Sequence, residues 1–99
     1  MEWYNNDVSV NTKRWGVVFR TMANPNRLRI IKLLMNGEKL SVTDISEKLE
    51  ISFKALSNHL ALLKNLDVVE SRGAEGHVFY WLNRELPKDF RKAIDIVLK

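Results

Sequence analysis

The chain has 99 residues and a formal net charge of +4, and 45% of its residues are hydrophobic and 28% are charged. This size predicts one domain, and the composition is that of an ordinary globular protein. No apolar run approaches the roughly 20 residues that cross a bilayer, and the first residues lack a signal-peptide pattern, so we expect a cytoplasmic protein without membrane contact. The lack of cysteine excludes disulfides, thiolate metal sites and a cysteine nucleophile.

Basic residues are concentrated in the N-terminal third of the chain. Residues 11–37 contain six basic residues and no acidic one. The six are Lys13, Arg14, Arg20, Arg27, Arg29 and Lys32. Such a segment suggests a polyanionic partner. For any one of these residues, simple solvation of a helix face explains the charge as well as a polyanionic partner does.

The first half of the chain reads as a short tail followed by two helices. Residues 1–11 show no sustained period and are expected to be an N-terminal tail, and residues 12–99 are expected to form one domain. Apolar residues then follow a helical spacing, at Trp15, Val18, Phe19 and Met22. A second helix is predicted from Pro25, with Asn24 as its N-cap and Gly37 as its stop signal.

A third, short helix is predicted with Ser41 or Thr43 as its cap, and a fourth is predicted to span about residues 52–65. On the fourth helix the apolar side chains fall within one arc. They are Phe53, Leu56, Leu60 and Leu63. The opposite face is small and polar, and it consists of Lys54, Ser57, Asn58, Ala61 and Asn65. Such a face differs from the long charged face of an ordinary solvent-exposed helix.

The C-terminal third is predicted to form a hairpin and a last helix. Residues 68–72 and 77–82 are β-branched and aromatic runs, separated by a tip at residues 73–76 that contains two glycines. Pro87 opens the last helix, whose apolar stripe needs a cover from its own domain or from a second copy. The resulting fold is mainly α with a small β-hairpin. Its order of elements is that of a winged helix-turn-helix.

Three sequence blocks resemble ArsR/SmtB-type bacterial and archaeal repressors. Residues 23–34 read ANPNRLRIIKLL, and Ser52 with residues 55–63 (ALSNHLALL) resembles that family's recognition helix. Residues 68–72, followed by Gly76 and Tyr80, fit the wing. The resemblance runs from about residue 19 to residue 82. It implies a homodimeric repressor that binds specific double-stranded DNA, with dimer contacts from the first and last helices.

The candidate DNA-binding residues lie on the fourth helix and on the wing. A helix enters the major groove when its leading face is slim and carries donors and acceptors. The candidates are Ser52, Lys54, Ser57, Asn58, His59, Lys64, Arg72 and His77. The dimer contacts that the resemblance implies are Trp15, Val18, Phe19, Met22, Phe90, Ile94 and Val97.

Several candidates also have a simpler interpretation. Ser52 suits an N-cap as well as a phosphate contact, and Lys54 suits simple solvation. Packing or a phosphate contact is favoured over metal ligation for His59. Arg72 has an equal alternative in an ion pair with Glu70 or Glu75. In the second helix, Arg27 is interpreted as structural and the role of Arg29 is left open.

The sequence departs from the family at the positions that bind metal ions in many relatives. Ser41 and Thr43 stand where a cysteine pair is usual, and neutral hydroxyls are poor ligands for soft or borderline ions. The last helix has Asp89 and Asp95 but no histidine. We therefore predict no metal site and no cofactor. Asp67 replaces a usual glycine after the fourth helix, and aspartate tolerates the left-handed conformation better than most residues.

Two other classes of function compete with DNA binding. A winged helix can also be a protein-interaction module, and the balanced charge of residues 51–83 favours this alternative. An enzyme is not expected, because Ser57 and His59 are two residues apart on a helix and do not face each other. A small organic effector that acts through the dimer interface is left open as a further partner.

Overall fold

The structure is a computed structural model that describes residues 11–99. Its helices are α1 (Thr12–Met22), α2 (Pro25–Leu34), α3 (Val42–Leu49), α4 (Phe53–Asn65) and α5 (Lys88–Leu98). Its strands are β1 (Leu40–Ser41), β2 (Val69–Ala74) and β3 (His77–Leu82), which form an antiparallel sheet in the order β1-β3-β2. The predicted mainly helical winged fold is confirmed, with β1 as an added strand. Residues 1–10 of the predicted tail lie outside the described residues, and no described helix is long and apolar enough to cross a membrane.

The helices begin where short polar side chains cap them. The side-chain oxygen of Asn24 accepts hydrogen bonds from the backbone N–H groups of Asn26 (3.0 Å) and Arg27 (3.1 Å), as predicted. At α3 the cap is Ser41, whose hydroxyl accepts from the N–H of Asp44 while the Asp44 carboxylate accepts from the N–H of Ser41. This reciprocal capping box assigns the cap to the first of the two predicted residues.

The core lies between all five helices and the base of the sheet. Its fully buried members include Ile31, Leu34, Leu56, Leu60, Leu63 and Phe90. The predicted inner face of α4 is wrong at one position, because Phe53 is 54% exposed. Helical side chains lean towards the N-terminus of their helix, so the side chain of this first residue of α4 extends past the helix end and away from the core.

The main turns use left-handed backbone conformations. Asp67 has a φ of 61°, which confirms the left-handed closure predicted after α4. The hairpin turns through Glu75 (φ 52°) and Gly76 (φ 78°), the two positive φ values that a type I′ turn requires. The predicted four-residue tip is therefore too long, since Gly73 and Ala74 already belong to β2.

Four of the seven predicted dimer contacts are core residues of this single chain. Val18 and Phe90 are 0% exposed, Ile94 is 2% and Met22 is 7%. Their side chains fill the contact of α1 and α5 with the rest of the domain. Of the other three, Trp15 is half-buried, and Phe19 and Val97 are exposed.

A paired arginine and aspartate join α1 to α5. Arg14 donates from Nε to Asp89 Oδ2 (2.7 Å) and from Nη2 to Oδ1 (3.2 Å), and its guanidinium lies 5.3 Å from the centre of the Phe90 ring. The hydrogen bonds from Arg14 lower the pKa of Asp89 below its usual value. The ionised pair therefore stabilises the folded chain.

Replacing Asp89 with asparagine should lower the free energy of unfolding by about 1 kcal/mol at pH 7, since the pair is partly exposed. The folded pKa of Asp89 lies below an unfolded value of about 3.9, so this stabilisation is present above that value and is lost as the pH falls through the folded pKa. Urea unfolding of the parent protein and of Asp89→Asn between pH 7 and pH 2 measures this difference in the free energy of unfolding. Asp95→Asn, which breaks an exposed pair with Lys99, is the control. A difference that persists at the lowest pH would contradict the assignment.

Candidate nucleic-acid interface

One face of α4 fixes this helix to the body of the domain. Leu56 and Leu63 are 0% exposed and Leu60 is 1% exposed. At the start of the helix the hydroxyl of Ser52 accepts a hydrogen bond from the N–H of Ala55 (3.3 Å), so the N-cap interpretation of Ser52 is confirmed. The hydroxyl stays exposed, because Ser52 lies at the surface. The helix is therefore held firmly along one side only.

The opposite face of α4 lies at the surface, as the spacing predicted. All five of its residues are exposed: Lys54, Ser57, Asn58, Ala61 and Asn65. Among residues 11–99 no hydrogen bond engages the side chains of Ser57 or Asn58. Their donors and acceptors are free for an external partner, and their short stems leave room for it to approach the helix.

His59 lies between these two faces and is half-buried. Burial lowers the pKa of His59, and the nearby charge of Arg27 lowers it further. The imidazole is therefore neutral at physiological pH. An N–H group of the imidazole could donate to a phosphate.

The wing is tied to the C-terminal end of α4. Lys64 Nζ donates to Ser71 Oγ on β2 (2.7 Å). Arg72 and His77 are exposed near the hairpin turn, where Arg72 lies opposite Phe79 and the ring of His77 contacts that of Phe79 edge-on. In the part of the chain that the structure describes, Arg72 forms no ion pair with Glu70 or Glu75. Its charge remains at the surface of the wing, on the side of Phe79 and Trp81.

Two arginines of α2 hold neighbouring helices in place. Arg27 Nε donates to the carbonyl oxygen of Thr21 at the end of α1 (2.9 Å), which confirms its predicted structural role. Arg29, whose role was left open, donates from Nη2 to the carbonyl oxygen of Leu49 at the end of α3 (2.7 Å). Cations at these positions donate hydrogen bonds to unpaired carbonyl oxygens at the helix ends. They are also attracted to the negative ends of the helix dipoles. The bond from Arg29 thereby supports the helix that precedes α4.

Comparison with known proteins shows which family this chain resembles. Residues 24–71 match the family model described as bacterial regulatory protein, arsR family. Over 77 residues the chain is 39% identical to the transcriptional activator HlyU of Vibrio cholerae serotype O1, covering 78% of this chain and 70% of HlyU. Over 72 residues it is 32% identical to the transcriptional repressor SdpR of Bacillus subtilis, covering 73% of this chain and 79% of SdpR. The chain belongs to the arsR family.

Solved structures agree with this assignment. The structure of HlyU from Vibrio cholerae N16961 superposes with a TM-score of 0.74 at 34% identity, covering 90% of this chain and 92% of that one. The antimony-specific repressor AntR superposes with a TM-score of 0.76 at 20% identity, covering 99% and 86%, and supports the fold alone. As a member of the arsR family, the chain is a DNA-binding regulator of transcription and not an enzyme.

The positions where many arsR-family proteins bind metal do not fit a metal ion in this chain. Ser41 and Asp44 bind each other in the capping box of α3. The carboxylate of Asp89 is held by Arg14, and that of Asp95 lies 2.9 Å from Lys99 Nζ. Across residues 11–99 no group of three or more histidine, aspartate or glutamate residues could hold an ion. The donor set lacks both thiolate and imidazole at these positions.

Apolar side chains are exposed on the two helices that the arsR-family resemblance assigns to the dimer. Phe19 on α1 is 65% exposed, and on α5 Ile96 is 82% and Val97 is 56% exposed. Ile96 was missed, because it lies off the apolar stripe of the last helix. The available signal was the run Ile-Val-Leu at residues 96–98, which is too long for one buried stripe. Phe19, Ile96 and Val97 are named the apolar patch below.

Proposed function

We propose that this arsR-family protein is a homodimeric repressor that binds a near-palindromic DNA operator in the cytoplasm. The observation that carries the proposal is the exposed polar face of α4, whose donors and acceptors are free while Leu56, Leu60 and Leu63 on the opposite side are buried. A helix of this kind can enter the major groove without losing its attachment to the domain. The operator contacts, the dimer and the absence of metal sensing are the parts of the proposal that need testing.

The side chains on this face suit base edges. The amide of Asn58 can donate to and accept from an adenine at the same time, and the hydroxyl of Ser57 can bind to several bases. Lys54 suits a guanine edge or a phosphate. Ala61 is small enough to allow close approach and to contact a thymine methyl group. These residues would read the sequence of the operator.

The remaining candidates would position the helix on the DNA backbone. Ser52 and Lys64 lie at the two ends of α4, where phosphates flank an inserted helix, and the half-buried His59 offers a neutral N–H donor. Arg72 and His77 are exposed on the wing and suit the backbone or the minor groove. Such contacts fix the orientation of the protein without specifying sequence.

A twofold dimer would give two such surfaces. A symmetric interface uses the same patch on both subunits, and the apolar patch on α1 and α5 provides exposed hydrophobic area for it. Two recognition helices about 34–36 Å apart would enter successive major grooves on one side of the duplex. A dimer bound over a promoter would exclude polymerase, which is the basis for proposing repression.

We also propose that the protein does not sense metal ions through the usual family positions. The hydroxyls of Ser41 and Thr43 replace thiolates, and the nearby Asp44 is committed to the cap of α3. Asp89 and Asp95 lack a histidine partner and bind to basic side chains. An effector molecule would therefore bind at another site of the protein.

The second candidate is a protein-interaction module that does not read DNA. Residues 51–83 support it, since three basic and three acidic residues there balance in charge; they are Lys54, Lys64 and Arg72 against Asp67, Glu70 and Glu75. Titration of a random duplex at rising salt separates the two. A DNA-binding protein loses affinity steeply because phosphate contacts release counterions. Affinity that is absent, or independent of salt, would favour the interaction module.

Replacing Lys64 with alanine should reduce the salt dependence of duplex binding. If Lys64 contacts one phosphate, the slope of log K against log salt should become less negative by about 0.9. Fluorescence anisotropy between about 50 and 200 mM salt measures this slope. The control is Lys88→Ala, which removes an exposed cation at the start of α5. An unchanged slope for Lys64→Ala would remove Lys64 from the interface.

A further inference from the structure

A cavity of about 240 Å³ lies where α2, the end of β3 and α5 meet. Its apolar walls are formed by Leu34, Met35, Leu82, Leu86 and Ile94. These residues belong to the core or pack against it, so the walls are an edge of the core. The volume equals that of about eight molecules of liquid water. It suits a small organic molecule.

Unpaired positive charge lies at this cavity. Arg84, Arg91 and Lys99 line it together with one carboxylate, that of Asp95, which is 2.9 Å from Lys99 Nζ. Within residues 11–99 neither arginine forms an ion pair, and the Arg91 guanidinium reaches only the carbonyl oxygen of Arg84, at 3.5 Å. Two guanidinium groups thus lie next to an apolar wall without a direct ion pair among residues 11–99, although Arg84 also borders an adjoining pocket that contains Asp67, Glu70 and Glu85.

We propose that this cavity binds a small carboxylic acid with a short apolar body, in its anionic form. Guanidinium groups match the planar geometry of a carboxylate and bind it through paired hydrogen bonds. The apolar body would cover the walls, and each methylene group that leaves water would add affinity. An inorganic anion would use Arg84 and Arg91 but would leave the apolar walls uncovered, so it fits the site less well.

The position of the cavity gives it a regulatory consequence, which rests on the proposed function. One wall belongs to α5, which carries Ile96 and Val97 of the apolar patch, and another is Leu82, at the end of the wing strand β3. A ligand that favours one arrangement of these elements would change operator affinity, by about five- to a hundredfold for ordinary couplings. The signal would then be a metabolite and not a metal ion.

The test uses sodium hexanoate as the probe, with the full chain and without DNA. Backbone amide resonances are followed by NMR during titration at constant ionic strength, with hexanol and hexylammonium as neutral and cationic probes of the same length. We expect saturable shifts for hexanoate at the amides of cavity residues such as Gly37, Asn83 and Asp95. The other two probes should bind at least tenfold more weakly. Arg91→Gln and Arg84→Gln should each lower hexanoate affinity about tenfold, and Arg20→Gln, on exposed α1 surface, should not.

Three results would overturn the site. They are no saturable shift with hexanoate, equal affinity for hexanol, or shifts centred away from the cavity. The comparison of the three probes uses the unmodified chain, so it holds even if an arginine variant unfolds. Because no DNA is present, failure here leaves the proposed operator binding intact. Hexanoate that binds here but leaves operator affinity unchanged would overturn the regulatory consequence alone.

Discussion

Replacing both Ile96 and Val97 with glutamate should convert the proposed dimer to a monomer and lower operator affinity by about a hundredfold or more. The two side chains are 82% and 56% exposed, so the domain itself does not need them for its core. In a twofold interface each substitution is present twice, and four carboxylates would have to be buried against apolar surface. A monomer loses the increase in affinity that comes from binding two half-sites at once. In linked systems this increase is about 10²- to 10⁴-fold.

Sedimentation velocity and operator binding are the two measurements for this variant. Lys88→Glu is the matched control, because it changes the net charge by the same −2 at an exposed position and places an acidic residue at the N-terminus of α5, where it is tolerated. We expect the control to remain dimeric. A double variant that remains dimeric and binds the operator normally would show that the apolar patch is not the interface.

Replacing Asn58 with alanine should weaken specific operator binding by about 1–3 kcal/mol, the usual value of a good bidentate contact to a base. Ser57→Ala should act in the same direction. Neither side chain bonds to another group among residues 11–99, and both are exposed, so the free energy of unfolding should change little. The loss would therefore come from the DNA contact itself.

The control for these two variants is their binding to a duplex of random sequence. Binding to random DNA depends on phosphates, so Asn58→Ala should leave it nearly unchanged while the preference for the operator falls. Anisotropy titrations with both duplexes, and urea unfolding of each variant, separate the two effects. If Ser57→Ala and Asn58→Ala both bind the operator as the parent does, α4 does not read the DNA.

The helix starts could be predicted from the sequence because the bonds that fix them are local. The caps at Asn24, Ser41 and Ser52 each bind an N–H group two or three residues ahead. Strand β1 could not be predicted in this way. It has two residues, and it forms only because Leu40 and Ser41 pair with Tyr80 and Phe79, about 40 residues later in the chain.

The polar face of α4 could also be predicted, since helical spacing separates it from the buried leucines. The exposed apolar residues could not, because apolar spacing alone does not say which side chains the core of the domain takes up. Val18 and Phe19 are adjacent in sequence, yet the first is buried and the second is 65% exposed. The role of Arg29 was hidden for a similar reason, since its acceptor at Leu49 is 20 residues away.

Selection of bound sequences from a pool of random duplexes tests most directly the proposal that the exposed side of α4 reads DNA in a symmetric dimer. The expected result is an enriched near-palindrome whose half-sites lie about 10–10.5 base pairs apart, or a multiple of that distance. The same selection with Asn58→Ala should lose preference at defined positions in each half-site. A pool that shows no enriched sequence, although the folded protein is present, would contradict the proposal.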